Sequence, residues 1–261
     1  MPQQDAGKDF FMITVLLHGC NGRMGQIITE TAAQDPQIRI GAGVDAFTGR
    51  ENAYPVFPTL EACTVPCDVI IDFSNAKAAD HLIAYAADKK LPLVLCTTGL
   101  SEAQLSAVNE AAARTPILRS ANMSLGVNLL LKLVAEASRV LYPAGFDIEI
   151  VEKHHNQKLD APSGTALALA DAANSAVSDQ LNYVTSRSDV RKKRDKAEIG
   201  ISSVRGGSIV GEHDVIFAGP DEVITIEHEA FSRAIFAKGA IAAAKFLAGK
   251  PAGRYEMKDI F

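Results

Sequence analysis

A chain of 261 residues, 48% hydrophobic and 22% charged, is long enough for more than one core and has the composition of an ordinary globular protein. Its formal net charge of −5 argues against a general nucleic-acid or anionic-membrane surface, so any anion site must be a local gathering of positive charge. Four cysteines (Cys20, Cys63, Cys67, Cys96) are too few for a disulfide framework, and no second pair completes a zinc set. Nor does any run approach the roughly 20 apolar residues of a membrane helix. Reduced thiols, no metal, no membrane and a cytoplasmic location are therefore expected.

Residues 1–9 are polar and read as a loose leader, with the fold starting near Met12. The run Phe10 to Leu17 is short for the core of a signal peptide, and His18 stands where a small residue would be wanted. Ile13 to Leu17 instead predicts a strand covered on both faces. Gly19-Cys20-Asn21-Gly22-Arg23-Met24-Gly25 follows, then a helical stretch over 26–34. Strand, glycine-rich turn and helix open a dinucleotide-binding unit. Asn21 takes the place of the usual second glycine and, as a residue tolerant of positive φ, is expected to preserve the turn. The second predicted strand, Ile38 to Val44, ends at Asp45, placed to accept hydrogen bonds from the adenosine ribose. A carboxylate there repels a 2′-phosphate and Ala46 offers no offsetting cation, so NADH is expected to be preferred over NADPH.

Further strands are predicted over 69–73, 91–95 and 117–119, and helices over 76–88 and 102–114. Their ends, Phe73-Ser74, Thr97-Thr98 and Ala121-Asn122, should line one crevice with the Gly19 turn and Asp45. A helix over 126–141 and an alternating strand over 146–152 lead to the densest chemistry in the chain. His154, His155, Lys158 and Asp160 precede a Pro-Ser-Gly-Thr turn and an alanine-rich helix over 165–177, capped by Ser163 or Thr165. Two imidazoles, an ammonium and a helix N-terminus describe a site for an anionic substrate that must also receive a proton. Adjacent histidines point different ways and no third ligand lies at helical spacing, which counts against a metal. The histidines could equally be two ordinary ones, but the density of the cluster argues for chemistry.

The basic run Arg191 to Lys196 reads as a mobile, solvated loop, one able to close over an anionic ligand. Strands are predicted over 199–204, 208–210, 212–217 and 222–228, with turns at Gly206-Gly207 and Gly219-Pro220-Asp221. With the 146–152 strand they make a small mixed sheet whose outer face calls for self-association. A helix over 232–247 should return to the first domain. The predicted fold is α/β. A Rossmann-like parallel-sheet domain covers 1–124, with 235–261 packing back on it, and an α+β domain with a mixed sheet covers 125–234 for substrate binding and oligomerisation.

The stretch Glu152-Lys-His154-His155-Asn-Gln-Lys158-Leu-Asp160-Ala-Pro-Ser-Gly164-Thr165-Ala resembles the signature of the dihydrodipicolinate reductases. The resemblance extends to Gly19–Gly25, Thr97-Thr98-Gly99, Ala121-Asn122 with Gly126-Val-Asn128, and Arg205-Gly206-Gly207 with Gly211-Glu212-His213. It covers the chain from Met12 onward. What it implies is NAD(P)H-dependent reduction of the small dicarboxylate 4-hydroxy-tetrahydrodipicolinate to tetrahydrodipicolinate, in diaminopimelate and lysine biosynthesis, by a cytoplasmic homotetramer. By the same resemblance His154 is a proton donor and acceptor, Lys158 a proton donor, His155 a substrate contact, and Gly164 and Thr165 the carboxylate-binding pair. The implied cofactor contacts are Gly19, Cys20, Asn21, Gly22, Arg23 and Met24 in the first turn, and Asp45 after the second strand. Cys96, Thr97, Thr98, Ser120, Ala121, Asn122 and Met123 complete them. The chain departs from the family pattern at Cys96, at Met123, and at Ala46, where some members carry an arginine for the 2′-phosphate. Two rival readings are another two-domain NAD(P)-dependent dehydrogenase of a small carboxylate and a non-catalytic nucleotide-binding regulator. Neither needs the clustered proton donors.

Overall fold

The computed structural model describes residues 12–120 and 122–261. The expected leader at 1–9 and the cofactor contact at Ala121 lie outside the described residues. The chain divides into two compact units, one running up to Met123 and including Phe236–Phe261, the other Ser124–Ile235.

The first unit holds a seven-stranded sheet of order β12-β6-β5-β4-β1-β2-β3, with every neighbouring pair parallel. Its strands are β1 (Ile13–His18), β2 (Ile38–Val44), β3 (Val56–Phe57), β4 (Val69–Asp72), β5 (Leu93–Leu95), β6 (Pro116–Arg119) and β12 (Gly253–Tyr255). Helices α1 (Arg23–Ala32), α2 (Ala76–Lys89) and α3 (Glu102–Ala112) alternate with them in sequence. Continuous apolar runs such as Ile70-Ile71 are buried on both faces, as strands sandwiched between helix layers must be. Leu16, Ile70, Leu93 and Ile117 share a core with Ala79, Leu82 and Ile83 of α2 and Val108 of α3. The sheet runs outward from β1 in one direction and from β4 in the other. The β1/β4 pair is thus the switch point, where a crevice opens beyond the strand ends.

The second unit packs α4 (Leu125–Leu141) and α5 (Gly164–Ser175) against a five-stranded sheet of order β11-β10-β7-β9-β8. Here β7 (Asp147–His154) is antiparallel to β10 (Gly211–Ala218) and parallel to β9 (Glu198–Arg205). Strand β11 (Val223–Ala230) pairs antiparallel with β10, and β8 (Asn182–Val184) pairs parallel with β9. The sheet is mixed, as expected. Helix α6 (Ala234–Leu247) follows, and a 3₁₀ turn, Met257–Ile260, closes the chain.

Two expectations need correcting, and three short strands went unread, for identifiable reasons. Residues 208–210 form no strand, and the turn at Gly206-Gly207 does not join neighbouring strands, because β7 lies between β9 and β10. Strands β3, β8 and β12 are two or three residues long, too short for alternation to be read from sequence. The run 191–196 is not wholly free. Arg194 bonds Asp147 at 2.9 Å, Glu149 at 2.8 Å and the carbonyls of Ile148 and Glu198 at 3.0 and 2.7 Å, so it is fastened to the first residues of β7 and β9.

Candidate active site

In the second unit the site is the polar continuation of a core face. Alternation along β7 turns Ile148, Ile150, Glu152 and His154 to the same buried side. Opposite them on β10, Phe217 pairs with Ile148, Val215 with Ile150 and His213 with Glu152. The apolar end packs on α4 and α5, where each fully buried Ile, Val or Phe stabilises by roughly 1.5–3 kcal/mol. The same face then changes character two rows later, to a carboxylate and two imidazoles.

Glu152 is 0% exposed, and all its acceptor capacity is spoken for. Oε1 accepts from the Ser163 backbone N–H at 3.0 Å and from Arg205 Nη2 at 2.7 Å. Oε2 accepts from Arg205 Nη1 at 2.7 Å and lies 2.6 Å from His154 Nδ1. Burial pushes its carboxyl pKa up, but the Arg205 guanidinium, then Ser203, His154 and the Ser163 N–H, outweigh it and hold the value at about 2. His154 is 9% exposed; burial lowers its pKa and Lys158 and Arg205 push the same way, against the pull of Glu152. The imidazole is therefore neutral at neutral pH. His213, 4% exposed, meets His154 edge to face with ring centroids 5.1 Å apart and lies 3.1 Å from Ser163 Oγ through Nε2. Burial first, and the His154 ring next, push its pKa down to about 4.

The segment after β7 is anchored at both ends. Gly206 N–H donates to the His154 carbonyl at 2.9 Å, and Asn156 N–H to the Gly207 carbonyl at 3.2 Å. Lys158 N–H closes a turn onto the His155 carbonyl at 3.1 Å. Ser163 is the N-cap of α5, its Oγ accepting from Ala166 N–H at 3.1 Å, so the first of the two predicted caps is the one used. Gly164 and Thr165 form the first turn, and the space where a Gly164 side chain would project is open. Lys158 Nζ pairs with Asp160 at 2.8 Å, and that ammonium with the Gly164 N–H holds the Asp160 carboxyl below its usual range. Lys158 thus lies near His154 and shares Asp160 with the Gly164 N–H, Thr165 is next in the helix, and half-buried His155 stands at the start of the turn. Sequence reasoning gave no role to Glu152, Arg205 or His213, and none to Ser163 beyond capping the helix. The period-two spacing of Glu152 and His154 was the signal for the first of these.

In the first unit a cavity of about 290 Å³ opens at the switch point, lined among others by Gly19, Gly22, Asp45, Phe73 and Ser74. Gly19 has φ +81°, and a Cβ there would sit 2.7 Å from the Phe73 carbonyl oxygen, so only glycine fits the turn. Asn21 does not take the positive φ expected of it; among described non-glycine residues only Lys90 does. Asn21 works through polar groups instead. Its N–H donates to Asp45 Oδ2 at 3.0 Å, and its side chain bonds Phe47 O and Asn52. Asp45 Oδ1 accepts from Phe47 N–H at 2.9 Å, leaving each carboxylate oxygen a further lone pair for a ribose hydroxyl. Cys20, Cys96 and Met123 are buried side chains, so what they can offer a ligand is main chain. Burial, and then Asp45, pushes the Cys20 thiol up to about 11. Arg23 and Thr98 are exposed, Met24, Ser120 and Asn122 half-buried, and Ser120 Oγ donates to the Asn122 carbonyl at 2.9 Å. Thr97 donates at 2.6 Å to the buried Asp72, which also lies 2.7 Å from His18 Nδ1, a link joining the ends of β1, β4 and β5 that the sequence did not reveal. Thr97, Thr98, Ser120 and Met123 are not among the residues lining the cavity.

Profiles of the dihydrodipicolinate reductase N-terminus and C-terminus match residues 13–123 and 126–261. The chain belongs to the dihydrodipicolinate reductase family. It is 53% identical over 249 residues to the 4-hydroxy-tetrahydrodipicolinate reductase of Caldanaerobacter subterraneus subsp. tengcongensis, covering 95% of this chain and 98% of that protein. Its fold is similar to that of the dipicolinate-bound dihydrodipicolinate reductase from Paenisporosarcina sp. TG-14, with a TM-score of 0.81 at 24% identity over 96% of this chain and 100% of that one. A myo-inositol dehydrogenase from Corynebacterium glutamicum matches at a TM-score of 0.58 and 14% identity, covering 93% of this chain and 90% of its own. That likeness is one of fold alone, and it accounts for why a general dehydrogenase was a rival reading. The family's own structures carry the α/β class read from the sequence, and the rivals fall away.

Proposed function

We propose that this chain reduces 4-hydroxy-tetrahydrodipicolinate to tetrahydrodipicolinate with NAD(P)H, as a step of diaminopimelate and lysine biosynthesis. The observation that carries the reading is the juxtaposition of neutral His154 and the Lys158 ammonium with the open first turn of α5, in a family member about half identical to a reductase of that name. The first unit fits a dinucleotide. Gly22, the N-cap of α1, makes no side-chain cap bond and the first turn holds no acid, whereas α2 to α5 are all capped by Asn or Ser side chains. The N–H groups of α1 are thus left to an anion such as a pyrophosphate. Ser74 Oγ, beside the same cavity, is buried without a protein partner.

When bound, NAD(P)H supplies the hydride. The chain's residues do the rest. Gly164 and Thr165 N–H groups and His155 hold the two substrate carboxylates, and the Lys158–His154 pair manages the proton that must follow the hydride. Asp45 favours NADH over NADPH by accepting from the ribose hydroxyls and repelling a 2′-phosphate. Ser120, Asn122 and Met123 complete the nicotinamide end together with Thr97 and Thr98. We place the enzyme in the cytoplasm as a homotetramer, assembled through the outer face of the second unit's sheet. In keeping with this, all four cysteines are free thiols and no described helix is long and apolar enough to cross a membrane.

The test is a coupled assay in which the upstream synthase supplies substrate from pyruvate and aspartate semialdehyde, run with each cofactor. NADH oxidation dependent on both enzymes is expected, with a higher kcat/KM for NADH than for NADPH. No oxidation of either cofactor overturns the activity. A reversed preference overturns only the role given to Asp45.

A further inference from the structure

Of the buried carboxylates that the mechanism leaves unused, Glu152 touches the proposed acid–base residue. Glu152 sits on the same face of β7 as His154, two residues earlier, with Oε2 2.6 Å from the imidazole Nδ1. Its carboxylate is fixed from the other side by two Arg205 bonds of 2.7 Å and by the Ser163 N–H at 3.0 Å. A carboxylate clamped by a guanidinium is acceptor only, so the proton between Glu152 and His154 belongs to Nδ1. A neutral imidazole with its proton on Nδ1 carries a bare lone pair on Nε2. Room is kept beside that nitrogen: a Cβ on Gly211 of β10 would lie 3.1 Å from Nε2.

We infer that Glu152 is a positioning residue which, clamped by Arg205, fixes His154 as the Nδ1–H tautomer, makes Nε2 a hydrogen-bond acceptor toward the substrate, and leaves proton delivery to Lys158. The inference rests on the proposed placement of substrate beside His154 and divides a labour that the family resemblance assigns to both residues. The groups facing the imidazole support the division. Glu152 lies on its own strand, Arg205 on β9, His213 on β10 with His228 in register behind it on β11, and Lys158 with its partner Asp160 on the following loop. Of these only Glu152 accepts from Nδ1. The cationic neighbours disfavour a second proton on the ring.

The arrangement makes Glu152→Gln an informative change. The Oε1 position faces two obligate donors, Ser163 N–H and Arg205 Nη2, against one at Oε2, Arg205 Nη1, which also bonds the Val204 carbonyl, so the Gln oxygen is drawn to Oε1. The Gln amide NH₂ then falls at the Oε2 position and donates to Nδ1, which drives the histidine proton to Nε2. A carboxylate that fixes a histidine tautomer is worth up to about 10⁴ in rate where this has been tested in hydrolases. A loss of at least about tenfold in kcat is expected here.

The experiment combines ¹⁵N NMR of imidazole-labelled enzyme at neutral pH, with His154 assigned by loss of its signals in His154→Asn, and the pH profile of kcat. In wild type, His154 should show a protonated Nδ1 and a bare Nε2. In Glu152→Gln the pattern should reverse, kcat should fall, and the acid limb of the residual activity should move to lower pH, because the charge that raises the imidazole pKa is gone. A bare Nδ1 in wild type overturns the inference, even if the variant does not fold. So does a variant that keeps wild-type kcat. Failure of the coupled assay removes the proposed activity instead, and the tautomer measurement still stands by itself.

Discussion

The two ligand-facing regions are built from opposite materials. At the end of the parallel sheet the chain presents main chain: a glycine at φ +81°, an uncapped helix N-terminus, and side chains such as Cys20 and Cys96 turned inward. Along the mixed sheet it presents side chains, with buried Glu152, His154 and His213 and half-buried Arg205 held by one another. The contrast follows from the chemistry each region must do. A pyrophosphate needs fixed N–H donors and close approach, which backbone provides. Proton management needs titratable groups, which only side chains provide. The first region should therefore be sensitive to added atoms, and the second to removed ones.

The strongest way to break this contrast is to remove a side chain from the second region. Positioned proton transfer contributes roughly 10²–10⁴-fold in rate. Lys158→Ala should lower kcat by that order, while NADH affinity, measured by calorimetry, stays at the wild-type value. His154→Ala should behave in the same direction. Near-normal turnover in either variant would remove that residue from the mechanism, and a lost NADH affinity would show that the two regions are not separable in this way.

A smaller effect is expected from adding one carbon to the first region. Gly19→Ala places a Cβ 2.7 Å from the Phe73 carbonyl oxygen at a backbone conformation that strains any L-residue. Such strain amounts to roughly 1–3 kcal/mol. Opening the turn should weaken NADH binding by about tenfold, a change of ~1.4 kcal/mol, with kcat at saturating NADH largely kept. If kcat falls and affinity does not, the glycine serves the reaction and not the cofactor's fit.

These differences also decide what sequence could reveal. Main-chain sites leave a local signature, so Gly19–Gly25 and Asp45 were legible from spacing, and the apolar runs of β1, β2 and β4 were legible from continuity. The string from His154 to Thr165 was legible because its groups are adjacent in the chain. Arg205, 53 residues from Glu152, and His213, 50 residues from Ser163, were not, because strand order alone brings them together. The sequence showed four of the five strands of the mixed sheet, without their order. That order, with β7 between β9 and β10, is also why the turn at Gly206-Gly207 does not pair the strands on either side of it. The basic run misled for a related reason: Arg194 reads as solvated until Asp147 and Glu149 are placed beside it.

The mildest consequence of the contrast is in the response to acid. His213 is buried and neutral, with a pKa near 4 against an ordinary 6.5, so the unfolded chain binds a proton that the folded one refuses between those values. Stability must then fall as pH drops from 6.5 toward 4, by at most ~1.4 kcal/mol per pH unit from this group. Glu152 acts in a lower window. Its carboxyl is held at about 2 against 4.5, so its contribution is complete above 4.5 and is lost as pH falls from there toward 2. His154, also lowered, adds to the upper window. Urea unfolding between pH 6.5 and 4.5, followed by hydrogen exchange at amides of β7 and β10, should show the second unit weakening on acidification. His213→Gln, whose amide can still bond Ser163, should flatten that slope without abolishing it. An unchanged slope would mean that His213 is protonated in the native state already, and that the cluster around Glu152 holds one more positive charge than its geometry implies.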